Sequence, residues 1–355
     1  MDSLDLRVLG DALEWHRTGH AVTLVTVVQT WGSAPRPPGA LLAVRDDGRV
    51  SGSVSGGCVE EDLIARTKAA FGALAASTVP SGPSATLPSE IVYGVSKEEA
   101  ARFGLPCGGT LLLVHEPLRD SAWIADLLDR TARHQLVTRN LNMATGAVTL
   151  SGAQRGQALA YDGAHLRSVF GPKWRLLLIG AGQLSQAVAQ IAGLLDFEVL
   201  ACDPREEYSA GLDMQGVQRL MGMPDDVVRE MLPDAHTAIV ALTHDPKLDD
   251  MALLEALKSD AFYVGALGSS RTQATRKQRL AEHFDMTAEE LARLHGPVGL
   301  KLGAKTPAEI AVSILAEIVQ VKNAELASNN SASSCAVPQT PVTAGMAATT
   351  SGSSA

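Results

Sequence analysis

Two stretches place a thiol beside paired glycines: Ser-Val-Ser-Gly-Gly-Cys-Val-Glu-Glu-Asp at 53–62 and Leu-Pro-Cys-Gly-Gly at 105–109. Glycine removes side-chain cover, so each sulfur is open to a bulky ligand. Cys58 also falls where a strand hands over to a helix, and the positive end of a helix dipole favours the thiolate, the form that attacks, ligates metal or carries a persulfide. Glu60, Glu61 and Asp62 crowd the same first turn and push the other way, which leaves the sign of the net shift open. The plain alternative for Cys58 and Cys107 is the common fate of free cysteine, a small buried hydrophobe. Cys202, inside an apolar run, reads as core.

A third stretch suits an anion. The run Leu-Leu-Leu-Ile enters Gly180-Ala181-Gly182-Gln183-Leu184-Ser185 and an apolar helix, and a second strand ends in Cys202-Asp203-Pro204-Arg205. In a dinucleotide fingerprint the first glycine permits the tight turn and the second lets a pyrophosphate approach helix N–H groups. Asp203 stands where a carboxylate accepts from a ribose hydroxyl. Ser185 replaces the third glycine, which bears on helix-to-sheet packing rather than on phosphate contact. The alternative is a tight turn in a unit that has lost its ligand. Two later strand ends add candidates: His244, and Gly268-Ser269-Ser270-Arg271, whose backbone donors and guanidinium make an anion cradle. Arg36, the only charge in the proline-stiffened loop 32–39, is a further anion contact, as are Arg205 and the glycines Gly56, Gly57, Gly108 and Gly109.

These residues need scaffolds. Apolar, β-branched 21–30 and the two strands flanking Asp46-Asp47-Gly48 predict a sheet with a hairpin. Residues 3–18 and the segment from Cys58 predict helices, 90–94 and 110–116 short strands, 121–135 a helix and 135–150 a hairpin turning at 144–146. From Trp174 the pattern changes to apolar strands at 176–179, 198–202, 237–242 and 261–266 separated by amphipathic helices, which predicts a doubly wound parallel sheet. The expected fold class is α/β: a mixed α/β domain over 1–170, a Rossmann-like domain over 171–323, and a disordered Ser/Thr/Ala/Pro tail over 324–355 that contains Cys335.

The chain has 355 residues, 46% hydrophobic, which suffices for two cores. A net charge of -9 without a dense basic stripe predicts no nucleic acid or anionic membrane as partner. No apolar run reaches the ~20 residues of a membrane span, and the acidic start lacks signal-peptide character, so the expectation is a cytoplasmic protein. The four cysteines have no C-x-x-C spacing and are expected as free thiols.

Taken together, GSAPRPPGALLAV (32–44), SGSVSGGCVEEDL (51–63), GLPCGG (104–109), LLLIGAGQLSQAVA (176–189), LTHDPKLD (242–249), YVGALGSSRT (263–272) and GPVGLKLGAKTPAEIAVSILAEI (296–318) resemble the XdhC/CoxI family of accessory proteins for molybdenum hydroxylases such as xanthine dehydrogenase. The resemblance implies a chaperone rather than a turnover enzyme. Such a protein binds molybdenum cofactor, as molybdopterin or its cytosine dinucleotide, guards it during sulfuration and delivers it to an apo-hydroxylase. It also implies a homodimer and, by motif, a functional Cys107. On that reading the phosphate or pyrophosphate of the cofactor suits the Gly180 turn and the 268–271 loop. The molybdenum suits Cys107, with Cys58 as a second thiol, in direct contact or by relay of a persulfide from a cysteine desulfurase. Two other readings compete: an NAD(P)-dependent oxidoreductase, for which no general acid is identifiable in the first domain, and a nucleotide-binding scaffold that docks the hydroxylase without touching the metal.

Overall fold

The computed structural model describes residues 3–31, 36–57, 59–76, 87–94, 110–154, 157–205 and 216–333. Cys58, Cys107, Gly108, Gly109 and Cys335 lie outside them. Three sheets organise the described residues. The first contains β1 (Val22–Trp31), β2 (Leu41–Arg45), β3 (Val50–Gly52), β4 (Ser89–Tyr93) and β5 (Thr110–Pro117) in the order β3-β2-β1-β5-β4, every pair antiparallel. The unbroken apolar and β-branched run of β1 fits its central place, buried on both faces. On one face lie α1 (Ser3–Arg17) and α3 (Ala122–Ala132), whose Leu9, Leu13, Ile124 and Leu127 pack with Leu24 and Ala43. On the other lies α2 (Glu60–Ala76), where Val59 and Leu63 pack with Val25, Val27, Leu42 and Leu113.

The hairpin expected at 135–150 is β6 (Val137–Asn142) and β7 (Val148–Gly152). It belongs to a second antiparallel sheet, β7-β6-β9-β8, completed by β8 (Ala160–Tyr161) and β9 (His165–Phe170). Asp162 makes the β8–β9 turn by accepting from the backbone of Ala164 and His165. Val28 and Val114 pack against Leu141 and Leu166, and a Glu116–Arg139 ion pair, almost fully buried, crosses between the first two sheets.

The third sheet is parallel and six-stranded, ordered β12-β11-β10-β13-β14-β15. It comprises β10 (Arg175–Ile179), β11 (Glu198–Cys202), β12 (Val217–Leu220), β13 (Thr237–Ala241), β14 (Tyr263–Ala266) and β15 (Leu294–His295). Its helices are α4 (Gln183–Leu194), α5 (Pro224–Met231), α6 (Pro246–Ala256), α7 (Ser270–Phe284), α8 (Ala288–Ala292) and α9 (Pro307–Ser333). Leu176, Leu178 and Val240 point to one apolar layer with α4 and α9, and Leu177, Ile179 and Ile239 to the other with α5 and α6. This is the doubly wound arrangement that the alternating pattern predicts. The edge strands β12 and β15 are additions, too polar or too short to stand out as apolar runs. Helix α9 continues past Asn323 into the stretch expected as tail, because no glycine or proline interrupts 324–333.

The segments that lead into β6 and β13 meet at a hydrogen bond, with His134 Nδ1 3.1 Å from Asp234 Oδ2. No helix among the described residues is long and apolar enough to cross a membrane.

Candidate functional site

Strand register gathers the first-sheet candidates. Trp31, the last residue of β1, pairs with Thr110, the first of β5, and Tyr93, the last of β4, pairs with Leu111. Gly52, the last of β3, pairs with Leu42 near the start of β2. The described strand ends that flank 32–40, 53–59 and 94–109 therefore all lie at one edge of the sheet. Those connections carry Arg36, Gly56 with Gly57, and the segment containing Cys107. Thr110 Oγ1 donates to the Gly94 carbonyl at 3.2 Å, which closes the base of the last connection. Arg36 Nε is shielded from solvent and has no hydrogen-bond partner among the described residues. An orphaned guanidinium N–H at this edge fits an anionic group.

The Gly56-Gly57 turn differs from an open anion cradle because Glu60 fills it. Its carboxylate accepts from Ser53 Oγ at 2.7 Å, Val54 N at 3.1 Å, Ser55 N at 3.0 Å, Gly57 N at 3.0 Å and Val59 N at 3.2 Å, and from Ser55 Oγ. Gly56 N donates instead to Ser53 Oγ at 2.9 Å. Both glycines have positive φ, +79° and +119°, which the tight reversal requires. Their N–H groups are thus engaged internally, and the turn is tied on Glu60. Partial burial works to raise the Glu60 carboxyl, but the bonds from Ser55 and Ser53 outweigh it and hold it at about 2. The spacing Gly57-x-x-Glu60 was the available sequence signal, since a Glu three residues after a turn amide can reach back to accept from it.

Behind this turn, Tyr93 Oη donates to Asp62 Oδ2 at 2.6 Å and Arg66 Nε donates to the same oxygen at 2.5 Å. The contact ties the foot of the Cys107-bearing connection to the first turn of α2. His115, next to this group, is pushed down to about 4 by burial, with Arg66 adding to the effect, so it is neutral at physiological pH.

The remaining candidates line the carboxyl edge of the parallel sheet, at the switch point where strand order reverses between β10 and β13. Gly180 has φ +114°, and a Cβ there would lie 3.1 Å from backbone atoms of Leu242 and Thr243. Gly182 caps α4 with φ -78°, and a Cβ there would meet nothing within 4 Å. The two glycines therefore do different work: Gly180 lets two strand ends approach, whereas Gly182 leaves open space above helix N–H groups. Gly180→Ala is expected to lower stability by about 3 kcal/mol in denaturant unfolding, since its neighbours are backbone and its φ is strained. Gly182→Ala is expected to stay within about 1 kcal/mol while obstructing a phosphate, so the pair separates fold from binding.

Asp203 differs from the expected ribose acceptor. Its Oδ2 accepts from Ala181 N at 3.0 Å and Arg205 Nη2 at 2.8 Å, and its Oδ1 from Arg205 N at 3.1 Å and Nε at 2.9 Å. Burial alone would raise this carboxyl, but the bonds from Arg205 and the Ala181 amide keep it below the ordinary carboxylate range. Asp203 thus holds the glycine turn against β11.

His244 is exposed after β13 with φ +61°, and Gly268 has φ +145°. Ser269 caps α7 by accepting from Thr272 N, and Arg271 is exposed on the first turn. A buried network fixes both loops. Asp249 accepts from Thr243 N at 3.1 Å and Oγ1 at 2.6 Å, and pairs with Arg276 at 3.1 Å. Arg276 also meets Asp250, the Leu267 carbonyl and Gln273, and Gln273 donates to the carbonyls of Ala266 and Leu267. Sequence reasoning missed this network, because nothing local links Asp249 to Arg276. Cys202 is core as expected, fully buried, and burial raises its thiol to about 11. Among the described residues no three His, Cys, Asp or Glu side chains group as a metal site.

Known proteins resemble the chain in both regions. Residues 176–318 match the model of the XdhC Rossmann domain, and residues 15–79 match that of the XdhC and CoxI family. The chain is 31% identical over 317 residues to the molybdenum cofactor insertion chaperone PaoD of Escherichia coli, covering 89% of this chain and 88% of that protein. It is 28% identical to a probable xanthine dehydrogenase subunit of Bacillus subtilis, covering 84% and 92% of the two chains. A solved structure of a xanthine dehydrogenase from Bacillus halodurans shares the fold, with a TM-score of 0.69 at 23% identity over 91% of this chain and 96% of that one. The chain belongs to the XdhC and CoxI family.

Proposed function

We propose that this member of the XdhC and CoxI family is a maturation factor that binds molybdenum cofactor and passes it to an apo molybdenum hydroxylase. The cargo is an extended anion: a pterin whose dithiolene holds molybdenum at one end, and a phosphate, or a pyrophosphate with cytidine, at the other. The observation that carries the reading is the gathering of Arg36, the Glu60-tied turn and the foot of the Cys107-bearing connection at one sheet edge. The name of the Escherichia coli relative, a molybdenum cofactor insertion chaperone, supports it.

In this proposal the open space at Gly182 and the α4 N–H groups receive the phosphate, with Ser269, Arg271 and His244 at its rim. Arg36 takes a second anionic group. Cys107, with Cys58, meets the soft molybdenum end or relays sulfur from a cysteine desulfurase, and the chain acts as a homodimer. Sulfuration and delivery are tested together by adding cofactor-loaded chain to apo-hydroxylase. Cys107→Ala is expected to retain the fold and lose most activation. Full activation by both Cys107→Ala and Cys58→Ala would remove the thiols from the function.

A further inference from the structure

We propose that the indole of Trp31 is a stacking surface for the flat pterin of the cargo, with Arg36 Nε as a donor beside it. Three of the four tryptophans have partners for their rings: Arg45 lies 5.5 Å from the ring centroid of Trp15, Arg139 4.3 Å from that of Trp123, and Phe262 4.9 Å from that of Trp174. Trp31 has no aromatic or cationic partner among the described residues and is 46% exposed. An open indole face attracts a flat heterocycle. Strand register shows what surrounds it. Residues two apart on a strand share a face, Trp31 pairs with Thr110, and Leu112 pairs with Val92. Trp31, Leu112 and Val92 therefore share one face, opposite to Tyr93, Leu111 and Leu113 under α2. Further in, the second sheet covers this face, where Val114 packs with Leu141 and Leu166. Trp31 and Val92, the latter 44% exposed, lie beyond that cover and form an apolar ledge with half-buried Leu112. A bulge between Val27 and Gln29 bends β1 just before Trp31, and bulges re-aim the side chains that follow them.

Position selects the ligand class. Trp31 directly precedes the connection that carries Arg36, whose Nε is shielded from solvent and lacks an acceptor. Its cross-strand partner Thr110 directly follows the segment that contains Cys107. A ligand seated on the indole therefore sits at strand ends that lead to an unmatched donor on one side and to a thiol on the other. A pterin is flat, carries ring nitrogens and an oxo group as acceptors at its edge, and is joined to the dithiolene that holds the soft metal. Those groups suit the indole, the guanidinium N–H and the thiol in turn. A purely aliphatic ligand would satisfy the ledge and leave the Arg36 donor unmatched.

This inference rests on the maturation reading and adds to it the residue that grips the pterin. The test titrates the full chain with pterin-6-carboxylate by calorimetry and by quenching of tryptophan emission. Trp31→Ala is expected to weaken binding about tenfold, in the range lost when a base is unstacked from an aromatic side chain. Trp31→Leu keeps apolar bulk without a flat ring and should lose about as much, whereas Trp31→Phe should stay within about threefold of wild type. Quenching should disappear in the alanine and leucine variants. Equal affinity of wild type and Trp31→Ala overturns the inference, as does a leucine variant that binds as well as the phenylalanine one. Loss of hydroxylase capture by Trp31→Ala with probe affinity intact overturns it too, and makes the ledge a protein contact. A wild-type chain that binds no probe likewise overturns it. The maturation reading is then decided separately, by whether chain purified from cofactor-making cells carries pterin and molybdenum.

Discussion

Glu60→Ala is expected to destabilise the chain by about 3 kcal/mol and to abolish cofactor loading, although Glu60 itself is assigned no contact with the cargo. The side chain organises the whole reversal: the amides of Val54, Ser55, Gly57 and Val59 all donate to it, together with two serine hydroxyls. Each donor left without a partner costs about 1–3 kcal/mol when shielded, and water reaching this half-buried turn reduces the sum. Glu60→Gln keeps one acceptor oxygen and should lose roughly half as much. The pH dependence has a defined direction. The folded carboxyl stands at about 2 against an ordinary 4.5, so its contribution is complete above pH 4.5 and is lost as the pH falls toward 2. Urea unfolding of wild type and variant should therefore converge as the pH drops through that window, and a constant difference would contradict the assignment.

Arg276→Met is expected to have an effect of similar or greater size at the other site. The guanidinium is 4% exposed and compensates Asp249 and Asp250, whose side chains are 1% and 8% exposed. Removing one partner of a buried ionic cluster costs about 3–5 kcal/mol, because the remaining charges stay desolvated. Burial already raises the carboxyl of Asp249 above its ordinary value, with Arg276 working against that, so the variant would raise it further. Its penalty therefore shrinks as the pH falls and grows as the pH rises through that raised value, opposite in sign to Glu60. Denaturant unfolding between pH 4 and 8 separates the two cases. Loss of the network should also free the loops after β13 and β14, which broadens the resonances of His244 and Ser269 before global unfolding.

Much of the scaffold was legible in the residues. Short apolar runs alternating with amphipathic stretches specify a parallel sheet, and Gly180, Gly182 and Asp203 fall at its carboxyl edge as their spacing requires. The hairpin at Asp46-Asp47-Gly48 was equally plain, because Gly48 with φ +92° is what that turn demands. What escaped was pairing across distance. Glu60, Asp203 and Asp249 are all acids whose type and position could be read, yet each proves to be occupied by donors that only the folded chain brings near. An acid beside a glycine turn looks the same in sequence whether it receives a ligand or ties the turn. The β8–β9 half of the second sheet escaped for a different reason: β8 has only two residues, too few for an alternating pattern.

What the chain carries tests its proposed role most directly. Protein purified from cells that make the cofactor should contain pterin and molybdenum in matched amounts per chain, quantified by mass spectrometry. Gly182→Ala, folded but with its phosphate space filled, should have lost both together. Wild-type chain that holds neither while still capturing its hydroxylase, or a Gly182→Ala chain loaded as fully as wild type, would contradict the role.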